Sequence, residues 1–369
     1  MSVELTVGDL TFDTASLMKL QLHTGVDTIY GSLQGDSMEA VVRADAPAEA
    51  QALQEQKVKL YSDGSLLATQ CLKSCTRTGS REFTLSCQSD MEFLEGQFMG
   101  GMYSNMDPLL LVDQILAGRS FTMDAAVMNR SVTGYLPVCS RAKALRQVAF
   151  ALGAVVSMDK NGRFSFNAPD LSAAGIIGPE RILAGSKLRT TPAYSKVELV
   201  SHKYTASSRW VELFRNRDYG ADPVTLTFAQ PYAAYDFEEG TLLDSGPNFV
   251  TFQPGTVTTL LARPYVHTTA YHTVEEPAAE SGYSHVLSVR DMTLVNPSNA
   301  QQVLKWLHER AQMGQQLTVK VMVEAERAGQ QVALSTPWGS TFTGYISKME
   351  STLTDSAHVA QLTVNGSEQ

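Results

Sequence analysis

The nearest approach to a catalytic motif in the sequence is a serine next to a histidine, Ser284-His285, two residues after a glycine. A nucleophile elbow places its serine between two glycines, each two residues away, because the strand-to-helix turn there is very tight. Gly282 occupies the first of these positions, but Val286 occupies the second. The pattern therefore favours an ordinary loop or strand serine over a nucleophile.

Two histidines and two glutamates lie close together in the sequence, at His267, His272, Glu275 and Glu276. On an extended strand a spacing of five sends the two imidazole rings to opposite faces, and a spacing of one does the same to the carboxylates. A metal site needs its ligands on one face, and so does a paired-carboxylate mechanism. We predict neither a metal site nor an acid-base pair here.

The other residue types that could support catalysis or ligand binding are also isolated from one another in the sequence. No glycine-rich pattern for nucleotide binding opens a helix, since the densest group, Gly96, Gly100 and Gly101, lacks that spacing. The cysteines form no C-x-x-C pair and indicate free thiols rather than disulfides or zinc ligands. The tryptophans are interpreted as core or interface anchors. These residues are Cys71, Cys75, Cys87, Cys139, Trp210, Trp306 and Trp338. We predict no catalytic residue, no cofactor and no metal.

Composition indicates a folded protein with two or three domains. Of the 369 residues, 43% are hydrophobic and only 18% are charged, below the roughly 25% usual for soluble domains. The net charge of −9 opposes general attraction to nucleic acids and anionic lipids. The first residues lack the basic and apolar segments of a signal peptide, and no run of about 18 apolar residues occurs. We expect synthesis in the cytoplasm and no insertion into a membrane.

The first hundred residues alternate between polar and apolar positions, which is typical of strands. Residues 57–69 read as a hairpin around an Asp63-Gly64 turn, and residues 81–87 alternate in the same way. A small barrel or sandwich is predicted for residues 1–100.

Residues 101–192 change to a helical period. Asp107 and Pro108 predict the start of a short helix that runs to Leu116, with Gly118 just beyond it. Ser140 predicts the cap of a second helix that ends at Gly153. A hairpin over residues 154–166 follows, so this range is predicted to be a compact α+β unit.

Alternation returns from residue 193 onward, with long loops, in a second β-rich region. Asn296-Pro297 predicts a helix over about 297–313, followed by strands near 316–324, 340–349 and 358–365. The two β-rich halves are of similar size, which leaves a diverged duplication open.

Three segments resemble the hub proteins of bacteriophage and prophage tails. They are REFTLSCQSDMEFLEGQFMGGMY at 81–103, GYLPVCSRAKALRQVAFALGAVVSMDKNGRFSF at 134–166, and the stretch 334–364 with TPWG and TGYI. The second segment is the most specific, because its Gly-Tyr-Leu-Pro entry leads into a helix, a terminating glycine and a hairpin. The residues that carry the signature are Gly100, Gly101, Tyr103, Gly134, Tyr135, Pro137, Arg141, Ala144, Leu145, Phe150, Gly153, Gly339 and Gly344.

The resemblance implies a mixed α+β, mainly β fold, in which two related small β-barrel domains carry an inserted helix-hairpin α+β unit. It also implies a homotrimer that forms a pseudo-sixfold ring. Such a ring joins a sixfold tail tube or distal tail protein to a threefold spike or tip protein and continues the channel. DNA passes through the lumen without specific binding, and the protein resides in the baseplate or tail tip of the virion.

Other functions remain open at this stage. A receptor- or carbohydrate-binding tail component would also be β-rich and trimeric, and exposed aromatic clusters would favour it. A cell-wall hydrolase that uses Ser284 or Glu276 is the enzymatic alternative. Longer tail-tip relatives append a lytic or fibre domain, whereas this sequence ends at Gln369, so we expect no lytic activity. The related hub half of a type VI secretion spike is not distinguished.

Overall fold

The structure, a computed structural model, describes residues 2–26, 33–44, 56–92, 94–168, 175–190, 194–275 and 285–368. Strands dominate these ranges, and four short α-helices accompany them. No helix in the described ranges is both long and apolar enough to cross a lipid bilayer. The fold is thus mixed α+β and mainly β, as predicted.

The strands of the first half are β1 Val3–Val7, β2 Leu10–Phe12, β3 Leu17–Gly25, β4 Ser37–Arg43, β5 Lys57–Ser62, β6 Ser65–Arg77, β7 Glu82–Gln88, β8 Gln97–Phe98, β9 Gly101–Met106, β10 Phe121–Met123, β11 Val132–Leu136, β12 Cys139–Ser140, β13 Val155–Met158, β14 Phe164–Asn167, β15 Gly175–Ile177 and β16 Ile182–Thr190. Those of the second half are β17 Lys196–Ala206, β18 Val211–Arg217, β19 Val224–Thr227, β20 Tyr232–Phe237, β21 Gly240–Gly246, β22 Phe249–Pro254, β23 Thr258–Glu275, β24 Val286–Val289, β25 Gln315–Met322, β26 Gln331–Ser335, β27 Thr341–Leu353 and β28 His358–Glu368. The helices are α1 Pro108–Leu116, α2 Ala125–Met128, α3 Arg141–Leu152 and α4 Ala300–Ala311, with a 3₁₀ turn at Pro179–Arg181.

A thirteen-stranded sheet joins the two ends of the chain. Its main path is β16-β25-β28-β27-β3-β4-β7-β6-β5-β1-β2, and β26 and β15 branch from β27. Along this path the two halves are joined by the antiparallel pair β3 and β27. The N-terminal and C-terminal β regions therefore form one continuous sheet.

Each half of this sheet repeats the same five-strand arrangement. The order β3-β4-β7-β6-β5 in the first half matches β16-β25-β28-β27-β26 in the second, and every pair in both sets is antiparallel. The fourth strand of each set, β6 in the first half and β27 in the second, has 13 residues. We call these sets repeat 1 and repeat 2. A shared order of this kind identifies them as related units.

The match between the repeats extends to single residues. A bulge interrupts the pairing of β6 with β7 just after Leu72, and a bulge interrupts the pairing of β27 with β28 just after Ile346. Both of these side chains are buried. Aligning the two bulges also superposes the alternating buried positions of β4 and β25, namely Met38, Ala40 and Val42 on Leu317, Val319 and Val321.

Each repeat has its own hydrophobic core. Buried side chains of β1 to β7 form one cluster, and those of β25 to β28 with Ile177 form another. Residues 191–314 stand between the first two strands of repeat 2, β16 and β25. The domain boundaries themselves stay a prediction, although β16 lies in the range assigned to the helical unit.

The helical unit is built as its capping residues predict. The Asp107 side chain accepts a hydrogen bond from the Leu109 N–H at 2.8 Å, and Ser140 caps α3 through the Lys143 N–H at 3.3 Å. Gly153 ends α3 with a left-handed backbone. The left-handed turn after α1 begins at Ala117, one residue before the predicted Gly118. The hairpins at 57–69 and 154–166 are confirmed.

Helix α4 begins at Ala300, three residues later than predicted. The reason is that Asn296 forms a turn of its own, in which its Oδ1 accepts the Ser298 N–H at 2.8 Å. Its own N–H donates to the Asn299 Oδ1 at 2.8 Å. The predicted closing strands correspond to β25, β27 and β28, and β26 between them was missed.

One carboxyl group in the fold is poised to titrate near neutral pH. Burial raises the pKa of Asp36 to about 7, although its Oδ1 accepts the Gly25 N–H at 3.2 Å. A group whose pKa is raised by folding stabilises the native state below its unfolded pKa of 3.8 and loses this contribution as the pH rises towards 7. Asp36 therefore costs stability at and above neutral pH.

Asp36→Asn is expected to stabilise the protein at pH 8 by about 2 kcal/mol and to change little at pH 4. An asparagine Oδ1 retains the bond from Gly25 but carries no charge to desolvate. Urea unfolding across this pH range measures the difference, with the exposed Asp222→Asn as control. A variant as unstable as the original chain at pH 8 would contradict the cost assigned to ionising this carboxyl.

Candidate functional site

The signature helix α3 is locked to α1 by an arginine at its first position. Arg141 Nη1 donates to the carbonyl oxygens of Gln114 at 2.8 Å and Ile115 at 2.5 Å. These carbonyls belong to the last turn of α1, where the chain leaves them without intrahelical partners and the helix dipole is negative. A guanidinium donates hydrogen bonds to these carbonyls and carries the positive charge that this end of the helix favours. Arg141 therefore fixes the angle between the two helices.

Arg141→Met is expected to cost about 1.5 kcal/mol of unfolding free energy, because two charge-assisted hydrogen bonds are lost while the aliphatic packing is kept. Lys143→Met, two residues along the same helix and exposed, is the matched control and should change stability by less than about 0.5 kcal/mol. Thermal unfolding of both variants measures the contrast. Equal losses would mean that Arg141 contributes only as a helical residue.

The other signature residues of α3 are buried in two different cores. Ala144 and Leu145 lie in the core of the helical unit, with the side chains of α1 and β14. Phe150 faces the opposite way, into the cluster around α4, where its ring meets Trp306 edge-on at 5.6 Å. Helix α3 thus connects the helical unit to α4, and Gly153 ends it at the point where β13 must turn back.

Six further signature residues lie on or beside one two-stranded ribbon. In the pairing of β9 with β11, Gly101 lies opposite Leu136, and Tyr103 lies opposite Gly134. A Cβ at Gly134 would lie 3.0 Å from the Thr293 carbonyl oxygen and 3.2 Å from the Leu294 Cα. Tyr135 lies on the same strand as Gly134, and Gly100 and Pro137 flank the end of the ribbon where Gly101 pairs with Leu136. The signature thus marks a close approach of β11 to the segment before α4.

A buried asparagine that the sequence did not single out lies at the centre of this region. Asn248 has no exposed surface, and its Oδ1 accepts the Tyr135 hydroxyl hydrogen at 2.6 Å. Its Nδ2 donates to the carbonyl oxygens of Met99 at 2.7 Å and Leu136 at 3.2 Å. Asn248 belongs to the turn between β21 and β22, more than a hundred residues away in the sequence. Nothing in the local sequence pattern marks it.

Aromatic rings continue from Tyr135 into the long β17–β23 ribbon. Tyr135 packs on Tyr204 at 5.2 Å, Tyr204 stacks on His267 at 4.4 Å, and His267 stacks on His202 at 5.2 Å. His202 Nε2 lies 3.1 Å from the Arg290 carbonyl oxygen, which only accepts, so this nitrogen carries the hydrogen. His202 Nδ1 then accepts from His267 Nε2 at 3.0 Å.

The histidine stack packs along the β17–β23 ribbon, where the His202 side chain is buried. Burial, followed by the neighbouring His267, lowers the pKa of His202, so that the ring is neutral at pH 7. His272 lies on the other face of β23 and meets the Ser201 hydroxyl at 2.8 Å. The two histidines of the predicted strand therefore point to opposite faces, as expected. In the described ranges no three acidic, histidine or cysteine side chains gather closely enough for a metal ion.

The two C-terminal signature glycines lie away from this junction. Gly339 forms the turn between β26 and β27, and Gly344 lies opposite Gly366 of β28. A Cβ at Gly344 would approach the Asn365 carbonyl oxygen to 2.3 Å, so these strands meet at a place with no room for side chains. Beside the turn, the half-exposed Trp338 donates its Nε1–H to Glu368 at 2.5 Å. The structure therefore gathers the signature from 100 to 153 and leaves these two glycines in repeat 2.

The residues weighed for catalysis divide into two groups. Ser284 and Glu276 lie outside the described residues. Glu275 forms an ion pair with Lys196 at 3.1 Å. Burial raises the pKa of each cysteine thiol, that of Cys87 to about 12, which keeps the thiols protonated at neutral pH. The described part of the chain therefore presents no activated nucleophile among its cysteines.

No protein-family model and no curated protein matches this sequence. Solved structures do match, over nearly the whole chain. A tail protein from Neisseria meningitidis MC58 superposes with a TM-score of 0.61 at 13% identity, covering 100% of this chain and 96% of that protein. The 43 kDa tail protein of prophage MuSo2 from Shewanella oneidensis gives 0.56 at 10% identity, covering 99% and 97%. Prophage tail protein gp18 from Listeria monocytogenes EGD-e gives 0.54 at 10% identity, covering 99% and 95%.

The similarity extends over nearly the whole of both chains in each comparison, so it is not confined to one common domain. At identities of 10–13% it establishes the fold. The chain has the fold of phage and prophage tail proteins, and the resemblance seen in the sequence is confirmed at that level.

Proposed function

We propose that this chain, which has a tail-protein fold, is the structural hub of a phage, prophage or phage-tail-like particle. It would be assembled in the cytoplasm of the bacterial host and would reside in the baseplate or tail tip of the virion. Whole-length similarity to three tail proteins supports this assignment. The free thiols held protonated by burial fit a structural role better than an enzymatic one.

The observation that carries the proposal is the internal duplication. Three copies of a chain with two related repeats make a ring of six similar units, although the ring has only threefold symmetry. Such a ring fits a sixfold tail tube or distal tail protein on one side and a threefold spike or tip on the other. Its partners are therefore two further copies of itself and these tail proteins, and its opening continues the channel.

The net charge of the chain is compatible with the passage of DNA through the ring. A net charge of −9 provides no general attraction for the phosphate backbone, so DNA would pass through the ring without being held. No specific nucleic-acid site and no membrane insertion are part of the proposal.

Light scattering over a wide concentration range tests the oligomeric state. We expect three chains of 40.2 kDa, 120.6 kDa together, and a central opening in negative-stain images. A dimer at every concentration would contradict the hub assignment. A glycan that binds the purified trimer at a defined site would favour a receptor-binding component instead.

A further inference from the structure

The two repeats are joined inside the chain by one specific pair of strand edges. The first strand of repeat 1, β3, pairs with the second half of β27, the 13-residue strand of repeat 2. Thr24 lies opposite Met349, and Leu22 lies opposite Ser351. The Val26 N–H donates to the Ser347 carbonyl oxygen at 2.9 Å and closes the end of this pair. We call it the internal joint.

The two edges equivalent to the internal joint are open at the other ends of the repeats. The equivalent of β3 is β16, and in the described ranges β16 pairs only with β25. The equivalent of the second half of β27 is residues 73–77 of β6. On the side away from β7, these residues have no strand partner among those described. The chain thus has one occupied joint and both halves of a second, unoccupied joint.

Side chains are less exposed in the occupied joint than at the equivalent positions of the two open edges. In the internal joint Leu22, Met349 and Ser351 are buried, at 7%, 6% and 2% exposure. Their equivalents by the bulge alignment are Leu188, Cys75 and Arg77. Leu188 and Cys75 are half-buried and Arg77 is exposed, although Leu188 and Cys75 still pack against the cores of their repeats. Open edges of this kind are templates for another strand.

We propose that β16 of one copy pairs antiparallel with residues 75–77 of β6 in the next copy and so repeats the internal joint between chains. The register transfers residue by residue from the internal joint. Thr190 lies opposite Cys75, Arg189 opposite Thr76, and Leu188 opposite Arg77. This inference rests on the proposed function, because it names the surfaces through which the trimer would close.

A second copy fits these edges better than an unrelated strand for two reasons. Each open edge has an occupied counterpart in the same chain, and the partner in that counterpart corresponds to the other open edge. The contact is also heterologous, since two different surfaces meet, and a heterologous contact that closes forms a ring rather than a dimer. Three internal and three external joints would then alternate around six repeats.

The charges at the external joint give it a dependence on salt. Both edges are basic, with Lys187 and Arg189 on β16 and Lys73 and Arg77 on β6. Two edges of like charge repel each other as they approach, and dissolved ions screen this repulsion over a Debye length of about 8 Å at physiological ionic strength. We therefore expect association to strengthen as the salt concentration rises from 50 mM to 500 mM.

Disulfide trapping tests the register directly, because Cys75 is a native free thiol on one edge. Residues that lie directly opposite on antiparallel strands have Cα atoms about 4.5–5.5 Å apart, within the range of a disulfide. The Thr190→Cys chain, oxidised with Cu²⁺-phenanthroline, is expected to give covalent dimers and trimers on a non-reducing gel. The controls are Thr190→Cys with Cys75→Ser, and Arg189→Cys, whose side chain points to the other face.

A second variant tests the same edge without a cross-linking reaction. Val26 and Thr24 direct their N–H groups towards β27, so the equivalent Thr190 directs its N–H away from β25. Thr190→Pro removes this outward-facing donor without removing a hydrogen bond to β25. The variant is therefore expected to be a monomer with an unchanged unfolding temperature.

The possible outcomes distinguish a failure of the proposed joint from a failure of the proposed hub function. A trimer by light scattering in which Thr190→Cys forms no cross-link through Cys75, and Thr190→Pro changes nothing, overturns the joint and leaves the hub standing. A dimer that stays dimeric at all concentrations overturns both. The joint is supported if Thr190→Cys forms covalent trimers only when Cys75 is present and the separate Arg189→Cys variant forms none.

Discussion

Gly100→Ala is expected to destabilise the chain by more than about 4 kcal/mol, a large share of the roughly 5–15 kcal/mol by which ordinary proteins are stable. The backbone at Gly100 is left-handed, with φ +67°, and an added Cβ would lie 2.1 Å from the Leu136 carbonyl oxygen. It would also lie 2.7 Å from both Asn248 Nδ2 and the Pro137 carbonyl oxygen. Two of these three atoms belong to backbone, which cannot move aside without breaking the β9–β11 ribbon.

Gly64→Ala is the matched control for this change. Gly64 has φ +74°, close to that of Gly100, but no atom lies within 4 Å of an added Cβ. Its cost should be that of the left-handed backbone alone, about 1 kcal/mol. Soluble yield and urea unfolding of both variants measure the difference. If the two alanines cost the same, steric exclusion at the ribbon has no part in the role of Gly100.

Local structure was predictable wherever neighbouring residues determine it. Asp107 and Ser140 marked the starts of α1 and α3, because a capping side chain bonds to an N–H two or three residues away. The Asp63-Gly64 turn was predicted for the same reason, since its left-handed backbone favours these residue types. Asn296 misled the prediction of α4 because the same local chemistry also forms isolated turns.

The long-range features could not be predicted from pattern. The resemblance implied two related β units, but the pairing of β3 with β27 joins residues more than three hundred positions apart, and no local signal encodes it. The insertion of residues 191–314 between the first two strands of repeat 2 also hides the duplication from any search for a fixed period. Only the order of the strands and the positions of their bulges make it visible.

The junction at Asn248 shows why the signature glycines of β9 and β11 belong together. The hairpin of β21 and β22 can deliver an amide side chain to the Met99 and Leu136 carbonyls only because Gly100 leaves room for it. A larger residue at Gly100 would displace the amide, and loss of the amide would leave buried carbonyls without donors. The β21–β22 hairpin and the helical unit are therefore joined at this point by a polar contact set centred on Asn248.

Asn248→Ala is expected to cost about 3 kcal/mol. It leaves the Met99 and Leu136 carbonyls and the Tyr135 hydroxyl without their bonds to the amide in a fully buried site, and each such group costs about 1–3 kcal/mol. Asn129→Ala, at an exposed helix end, is the control and should change stability by less than about 0.5 kcal/mol. Urea unfolding provides both values.

Tyr135→Phe resolves how this cost is shared. It removes only the hydroxyl that donates to Asn248 Oδ1 and should cost about 1 kcal/mol, because the ring still packs on Tyr204. In the double variant the two losses should not add, since the Tyr135–Asn248 bond is counted in both single changes. A coupling of about 1 kcal/mol would place Tyr135 and Asn248 in one network. Strict additivity would mean that the amide stabilises the junction only through the two carbonyls, and that Tyr135 acts through the ring stack alone.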